Sequence, residues 1–126
     1  MSVVKLNPSG LQDSIRRRSV ILFAAPWCGH CKRFKPVYQD FAAKARVAFP
    51  GVHVTAIDMD KYGPDVRSKQ IGLAEYGEPL SGAVRGFPTI LFSRPLRGGK
   101  AKSLQYTGDR TVEALMGSTK EFFGRQ

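Results

Sequence analysis

Ala25-Pro26-Trp27-Cys28-Gly29-His30-Cys31-Lys32 contains both cysteines of the chain, and its flanks say what kind of fold holds it. Upstream, Val20-Ile21-Leu22-Phe23-Ala24 is continuously apolar, as in a strand covered on both faces of a sheet. Downstream, Phe34, Val37, Tyr38, Phe41 and Ala45 recur at helical spacing. Two thiols spaced Cys-x-x-Cys at a strand-to-helix junction read as a redox pair that closes into a disulfide and reopens. Cys28 falls at the helix N-terminus, where unpaired backbone N–H groups and the dipole favour the thiolate, the nucleophilic form.

Two plainer readings compete. A structural zinc needs about four ligands. The chain has Cys28, Cys31, His30 and His53, and His30 lies inside the turn, pointing away from a metal its flanking cysteines would share. No metal is expected. A purely structural disulfide would close a loop of two residues, which removes little entropy from the unfolded chain.

The 126 residues fit one domain, expected to span 1–126 and able to bury roughly two-thirds of the unfolded surface. Arg16-Arg17-Arg18 before the apolar run imitates a signal peptide. That run is too short, and cleavage after Ala25 would remove the strand that leads into the motif. No segment approaches the roughly 20 apolar residues of a membrane span. The sequence alone therefore predicts a cytoplasmic protein with no membrane partner. The net charge of +10 is high for this size, with basic groups at Arg16–Arg18, at Lys32, Arg33 and Lys35, and along Arg94, Arg97, Lys100 and Lys102. Such a field attracts acidic partners. No aromatic residues interleave with these charges as a stacking surface needs, so specific nucleic-acid binding is not expected. Arg16–Arg18 read as a helix end, and Arg94–Lys102 as a solvated hairpin loop.

The remaining elements follow from local signals. Val3–Leu6 is a short edge strand, and Asn7-Pro8 opens a helix of about ten residues. Pro36 should kink the helix that starts at Cys28, and Pro50-Gly51 should stop it. Val52–Ile57, Thr89–Phe92 and Ser103–Tyr106 are strands, and Thr111–Phe122 is a terminal amphipathic helix. The order β-α-β-α-β, a loop-rich stretch, then β-β-α predicts an α/β fold with a central mixed sheet and helices on both faces.

At this level of detail the chain resembles the thioredoxin superfamily, and more closely a single catalytic domain of the protein disulfide isomerase type. The resemblance rests on Ala25–Lys32, on Pro36 five residues past the second cysteine, on Val84-Arg85-Gly86-Phe87-Pro88-Thr89, and on Tyr106-Thr107-Gly108-Asp109-Arg110. It implies a thioredoxin-like fold and a cis proline at Pro88. It also implies a dithiol that forms or isomerises protein disulfides through a mixed-disulfide intermediate, with no cofactor. Cys28 would attack and Cys31 resolve. His30 would stabilise the Cys28 thiolate, and Arg110 would swing in to ease deprotonation of the resolving thiol. Trp27, Gly29, Phe87 and Pro88 would meet the substrate strand. The implied partners are protein thiols and disulfides and a recycling partner, glutathione or a reductase, with the protein a monomer.

Two departures from the family pattern stand out. The buried acid six residues before the first cysteine and its lysine partner are replaced by Leu22 and Ala56. A lone buried charge would cost several kcal/mol, so losing both together is coherent. Without the acid, slower deprotonation of Cys31 and longer-lived mixed disulfides are expected. The second departure is an insertion around 62–80, whose Ile71, Leu73, Tyr76 and Leu80 read as added core cover, with a substrate-contacting lip beside the cis-proline loop as the alternative. Alternative functions are a cytosolic thioredoxin-like reductase and, from another class, a basic adaptor that grips an acidic partner or nucleic acid.

Overall fold

The computed structural model describes residues 3–68, 84, 86–99 and 101–124. Five strands form one mixed sheet: β1 (Val4–Leu6), β2 (Ser19–Ala24), β3 (His53–Asp58), β4 (Thr89–Pro95) and β5 (Ala101–Gln105), in the order β1-β3-β2-β4-β5. β1 and β2 both run parallel to β3, while β4 is antiparallel to β2 and β5 to β4. The helices among the described residues are α1 (Pro8–Ile15), α2 (Gly29–Ala48), α3 (Met59–Ser68) and α4 (Val112–Phe123). The thioredoxin-like α/β fold expected from the sequence is the fold observed.

The apolar run of β2 is divided between two cores. Val20 and Leu22 join Phe34, Tyr38, Phe41, Phe92, Leu115 and Phe123 beneath α2 and α4. Ile21 and Phe23 turn to the other face and join Leu11, Ile15, Ile57, Met59 and Val66 of α1, β3 and α3. A strand buried on both faces needs apolar side chains at consecutive positions, which is why no alternation is visible there.

The helix starts are written locally. Asn7 Oδ1 accepts from the Gly10 N–H at 2.7 Å with Pro8 opening α1, and Thr111 Oγ1 accepts from the Ala114 N–H at 3.2 Å. Asp58 Oδ1 accepts from the Asp60 and Lys61 N–H groups at 2.9 and 3.2 Å, which starts α3 directly from the end of β3. The sequence reading has only a loop-rich stretch there, and Gly63 and Pro64 are poor helix formers. Both lie within α3, whose Met59 and Val66 are buried in the second core. Burial of an apolar stripe outweighs two poor helix formers. The expected insertion therefore begins inside a helix at Tyr62, and its stretch 69–80 lies outside the described residues.

Two smaller boundaries also move. α1 ends at Ile15, so Arg17 and Arg18 follow the helix rather than finish it. Arg94 and Lys102 pair as neighbours in the β4–β5 ladder, leaving a short turn at Arg97–Gly99 where Gly98 adopts φ 80°.

Candidate active site

Cys28 follows the end of β2 after the turn Ala25-Pro26-Trp27 and occupies the N-cap of α2 with extended backbone (φ −77°, ψ 121°). No side chain caps this helix, so its first N–H groups remain available to the sulfur. The Cys28 thiol is held below its ordinary range, first by the Cys31 backbone N–H and further by the Cys31 thiol, the His30 N–H and the Arg110 charge. Cys31, one turn deeper and 8% exposed, is pushed the other way. Burial is the main cause, and the neighbouring Cys28 sulfur adds to it. Both cysteines are in the dithiol form. The first proton therefore leaves from the outer sulfur, which solvent and a substrate can reach.

The Phe87–Pro88 peptide is cis, as expected at Pro88. The Phe87 carbonyl accepts from the Cys28 thiol at 3.7 Å. The Phe87 ring meets Trp27 edge-on, with centroids 6.0 Å apart. Trp27 is 63% exposed, yet its orientation is fixed: the indole N–H donates to Asp60 Oδ1 at 2.9 Å. Cys28, Trp27, Phe87 and Pro88 thus come together from two separate stretches of chain.

The other expected residues vary in how they join this group. The exposed His30 directs Nδ1 at Arg33 Nη2, 3.0 Å away. A Cβ on Gly29 would meet only Arg33 Nη1, at an ordinary 3.5 Å, so space alone does not demand glycine there. Arg110 is exposed and lies beyond β5, but its charge favours the thiolate of both cysteines. The turn before it is tightly built. The Tyr106 ring stacks on Phe92 with centroids 5.8 Å apart, and its hydroxyl donates to the Asp109 carbonyl. A Cβ on Gly108 would come within 2.7 Å of that hydroxyl, closer than atoms pack, so this turn does require glycine. Beneath the motif, Leu22 is 7% exposed and faces Ala56 as its register partner across β2 and β3. The two apolar replacements are direct neighbours.

Sequence reasoning missed Asp60 and the contact of Arg33 with His30, and it quoted Tyr106 and Gly108 only as part of a motif, without their packing. Asp60 contacts Trp27 across 33 residues, and nothing local signals that. Arg33 and His30 sit three apart on a helix, a spacing that does signal contact.

A dithiol at the start of a helix, beside a cis proline and over a β1-β3-β2-β4-β5 sheet, defines the class of thioredoxin-fold redox domains. The chain belongs to the thioredoxin family: the family profile named Thioredoxin matches residues 2–121. It is 31% identical over 117 residues to "Thioredoxin domain-containing protein C13F5.05, mitochondrial" of Schizosaccharomyces pombe, covering 90% of this chain and 28% of that protein. The solution structure of the first thioredoxin domain of mouse protein disulfide-isomerase A4 superposes with a TM-score of 0.67. The two are 30% identical, over 95% of this chain and 74% of that one. The Trx4 domain of ERdj5 shares the fold, with a TM-score of 0.73 at 16% identity over 98% and 97% of the two chains. Within the family, then, the chain is similar to the protein disulfide-isomerase domains. It spans less than a third of the length of the curated relatives it matches.

The expected cytoplasmic location is overturned. The relatives are mitochondrial or endoplasmic-reticulum proteins, and ERdj5 and ERp44 among the structural neighbours are proteins of the endoplasmic reticulum. That expectation rested on the lack of a targeting segment in 126 residues, a length that carries no such information when relatives are several times longer.

Proposed function

We propose that the chain is a catalytic thiol–disulfide exchange domain that forms or isomerises disulfides in protein substrates. The observation that carries this reading is the opposite bias of two thiols three residues apart, Cys28 toward the thiolate and Cys31 toward the protonated form. The oxidised domain offers its Cys28–Cys31 bond to a substrate thiolate. The substrate sulfur bonds to Cys28, and the Cys31 thiolate leaves. A second substrate thiolate then attacks its partner sulfur in the mixed disulfide. The substrate disulfide forms, Cys28 leaves as a thiolate, and the two electrons remain on the dithiol. In isomerisation, the Cys28 thiolate attacks a substrate disulfide, the freed substrate thiolate attacks a second disulfide of the same substrate, and the thiolate released there attacks the mixed disulfide and frees Cys28 as a thiolate.

Each expected residue has a part in this reading. The Cys31 backbone N–H and Arg110 stabilise the Cys28 thiolate, and His30 adds to this when it carries a proton. A substrate strand lies along Phe87 and Pro88 under the Trp27 ring and beside Gly29, bonding its backbone to the Phe87 peptide in place of the Cys28 thiol. One domain spanning 1–126 acts as a monomer and is reoxidised by glutathione or by a partner oxidoreductase.

The reduction potential of the Cys28–Cys31 couple, followed by Trp27 fluorescence in glutathione buffers, tests the assignment. A value near about −180 mV fits an oxidase or isomerase, and one near about −270 mV makes the domain a reductase. Absence of any reversible transition would leave the basic adaptor as the better reading.

A further inference from the structure

The net charge of +10 is not spread evenly once the chain is folded. The dithiol stands where β2 ends and α2 begins, and the opposite end of the sheet is where β2 and β3 begin. Several bonds fix what lies at that far end. The His53 N–H donates to the Arg18 carbonyl, Ser93 Oγ donates to the Ile15 carbonyl, and Arg18 Nη2 donates to the Phe123 carbonyl at 2.7 Å. The ends of α1, β4 and α4 therefore meet the starts of β2 and β3, with the end of α2 beside them.

These ends are basic. Arg16, Arg17 and Arg18 follow α1, and Arg46 lies in the last turn of α2. Arg94 faces Lys102 across β4 and β5, with Arg97 in the turn between, and Lys120 lies in the last turn of α4. Among the described acids, Asp13 and Glu121 belong to this end and Asp40 and Asp65 lie along α2 and α3, whereas Asp58, Asp60, Asp109 and Glu113 lie toward the dithiol end. The guanidinium carbons of Arg18 and Arg94 sit over the rings of Phe123 and Phe122, 5.4 and 5.3 Å from the centroids. Adjacent like charges are thereby held in place rather than splayed apart.

Two exposed aliphatic side chains accompany the cations. Val47 is 84% exposed beside Arg46, and Leu96 is 47% exposed beside Arg97. A nucleic-acid strand has use for exposed aromatic rings. Here, instead, Phe123 is buried and Phe122 half-buried beneath arginines. The acidic side chains of a peptide account for the cations but not for the two aliphatic tips. A bilayer surface uses both features: anionic headgroups meet cations spread over a whole end of the domain, and aliphatic tips enter the headgroup boundary.

We propose that the end of the domain opposite the dithiol, marked by Arg17, Arg46, Arg97, Val47 and Leu96, docks on anionic lipid and leaves Cys28 facing away from the membrane. This does not depend on the direction of the redox reaction. The test is sedimentation of the full chain with phosphatidylcholine vesicles carrying about 30% phosphatidylserine or none. Binding is expected to the anionic vesicles at 0.1 M salt and to vanish at 1 M. Each neutralisation among Arg17→Gln, Arg46→Gln and Arg97→Gln should weaken it about fivefold. Val47→Ser with Leu96→Ser should weaken it further, and disulfide turnover should stay unchanged in all of these. Lys35→Gln with Lys61→Gln, on the dithiol half, should leave vesicle binding intact. The proposal is overturned by no binding at 0.1 M salt, by equal loss in the Lys35/Lys61 pair, or by polyglutamate or a polynucleotide binding more tightly than anionic vesicles of equal charge and losing nothing in Val47→Ser with Leu96→Ser.

Discussion

The turn around Cys28 and the layer behind Cys31 are separated by one turn of helix, yet they treat the same functional group in opposite ways. At the surface, unspent backbone N–H groups and the nearby Arg110 draw the proton off. One turn in, burial holds it on, and the Leu22–Ala56 pair beneath supplies no carboxylate to receive it. The difference teaches that nucleophile and resolving thiol are assigned by depth rather than by neighbouring residue type.

The sharpest way to break the contrast is to remove one sulfur at a time. Cys28→Ser should cost at least about 10³-fold in turnover on a disulfide substrate. Cys31→Ser should still attack but accumulate mixed disulfide, visible by mass spectrometry. Equal outcomes for the two would erase the distinction. Next in size, Leu22→Glu should destabilise the fold by several kcal/mol in urea titrations, because the carboxylate lacks a partner. Leu22→Glu with Ala56→Lys should restore most of that, since the two positions face each other in the sheet. In this pair, mixed-disulfide release should quicken, as Cys31 gains a proton acceptor; an unchanged release rate means the apolar pair does not slow resolution.

A pH titration of each thiol sharpens the comparison further. Alkylation of Cys28 should rise at a lower pH than that of a free thiol, and alkylation of Cys31 at a higher one. The signs carry over to stability of the dithiol form. Cys28, with its folded pKa lowered, adds stability above the usual thiol pKa that is lost as pH falls through the folded value. Cys31, with its folded pKa raised, adds stability at lower pH that is lost as pH rises through the folded value. Arg110→Gln should move both titrations upward and slow turnover at neutral pH severalfold. Gly108→Ala should reproduce part of that shift, because its Cβ would displace the Tyr106 hydroxyl from Asp109. The smallest effect belongs to Asp60→Ala, which frees the Trp27 indole. Trp27 emission should shift toward that of a fully solvated indole while both thiol titrations stay unmoved.

How far the sequence reveals this arrangement depends on the range of each interaction. The Cys28 cap, the Asn7 and Thr111 caps and the two-faced burial of β2 are readable because their causes lie within a few residues. The fold and the cis proline at Pro88 are legible through resemblance to a family. α3 is not, since its Gly63 and Pro64 signal a loop and the burial of Val66 that overrides them is tertiary. Asp60 beneath Trp27 and the polar distribution of charge are invisible for the same reason, each arising from chain segments far apart in sequence.

Tyr38 ties these local and distant effects together. Its hydroxyl, ten residues past Cys28 and fully enclosed, reaches the Thr55 carbonyl at 2.6 Å and the Val20 carbonyl at 3.3 Å, on the two central strands. Thr55 Oγ1 also donates to Val20, at 3.1 Å. The long helix is thus riveted to the sheet at its middle, so its tip works as a lever of fixed length. Disulfide closing and opening at Cys28 can bend the lever's end but cannot slide the rod. Amide exchange in the first turn of α2 should therefore respond to redox state, while exchange around Tyr38 keeps the same slow clock in both.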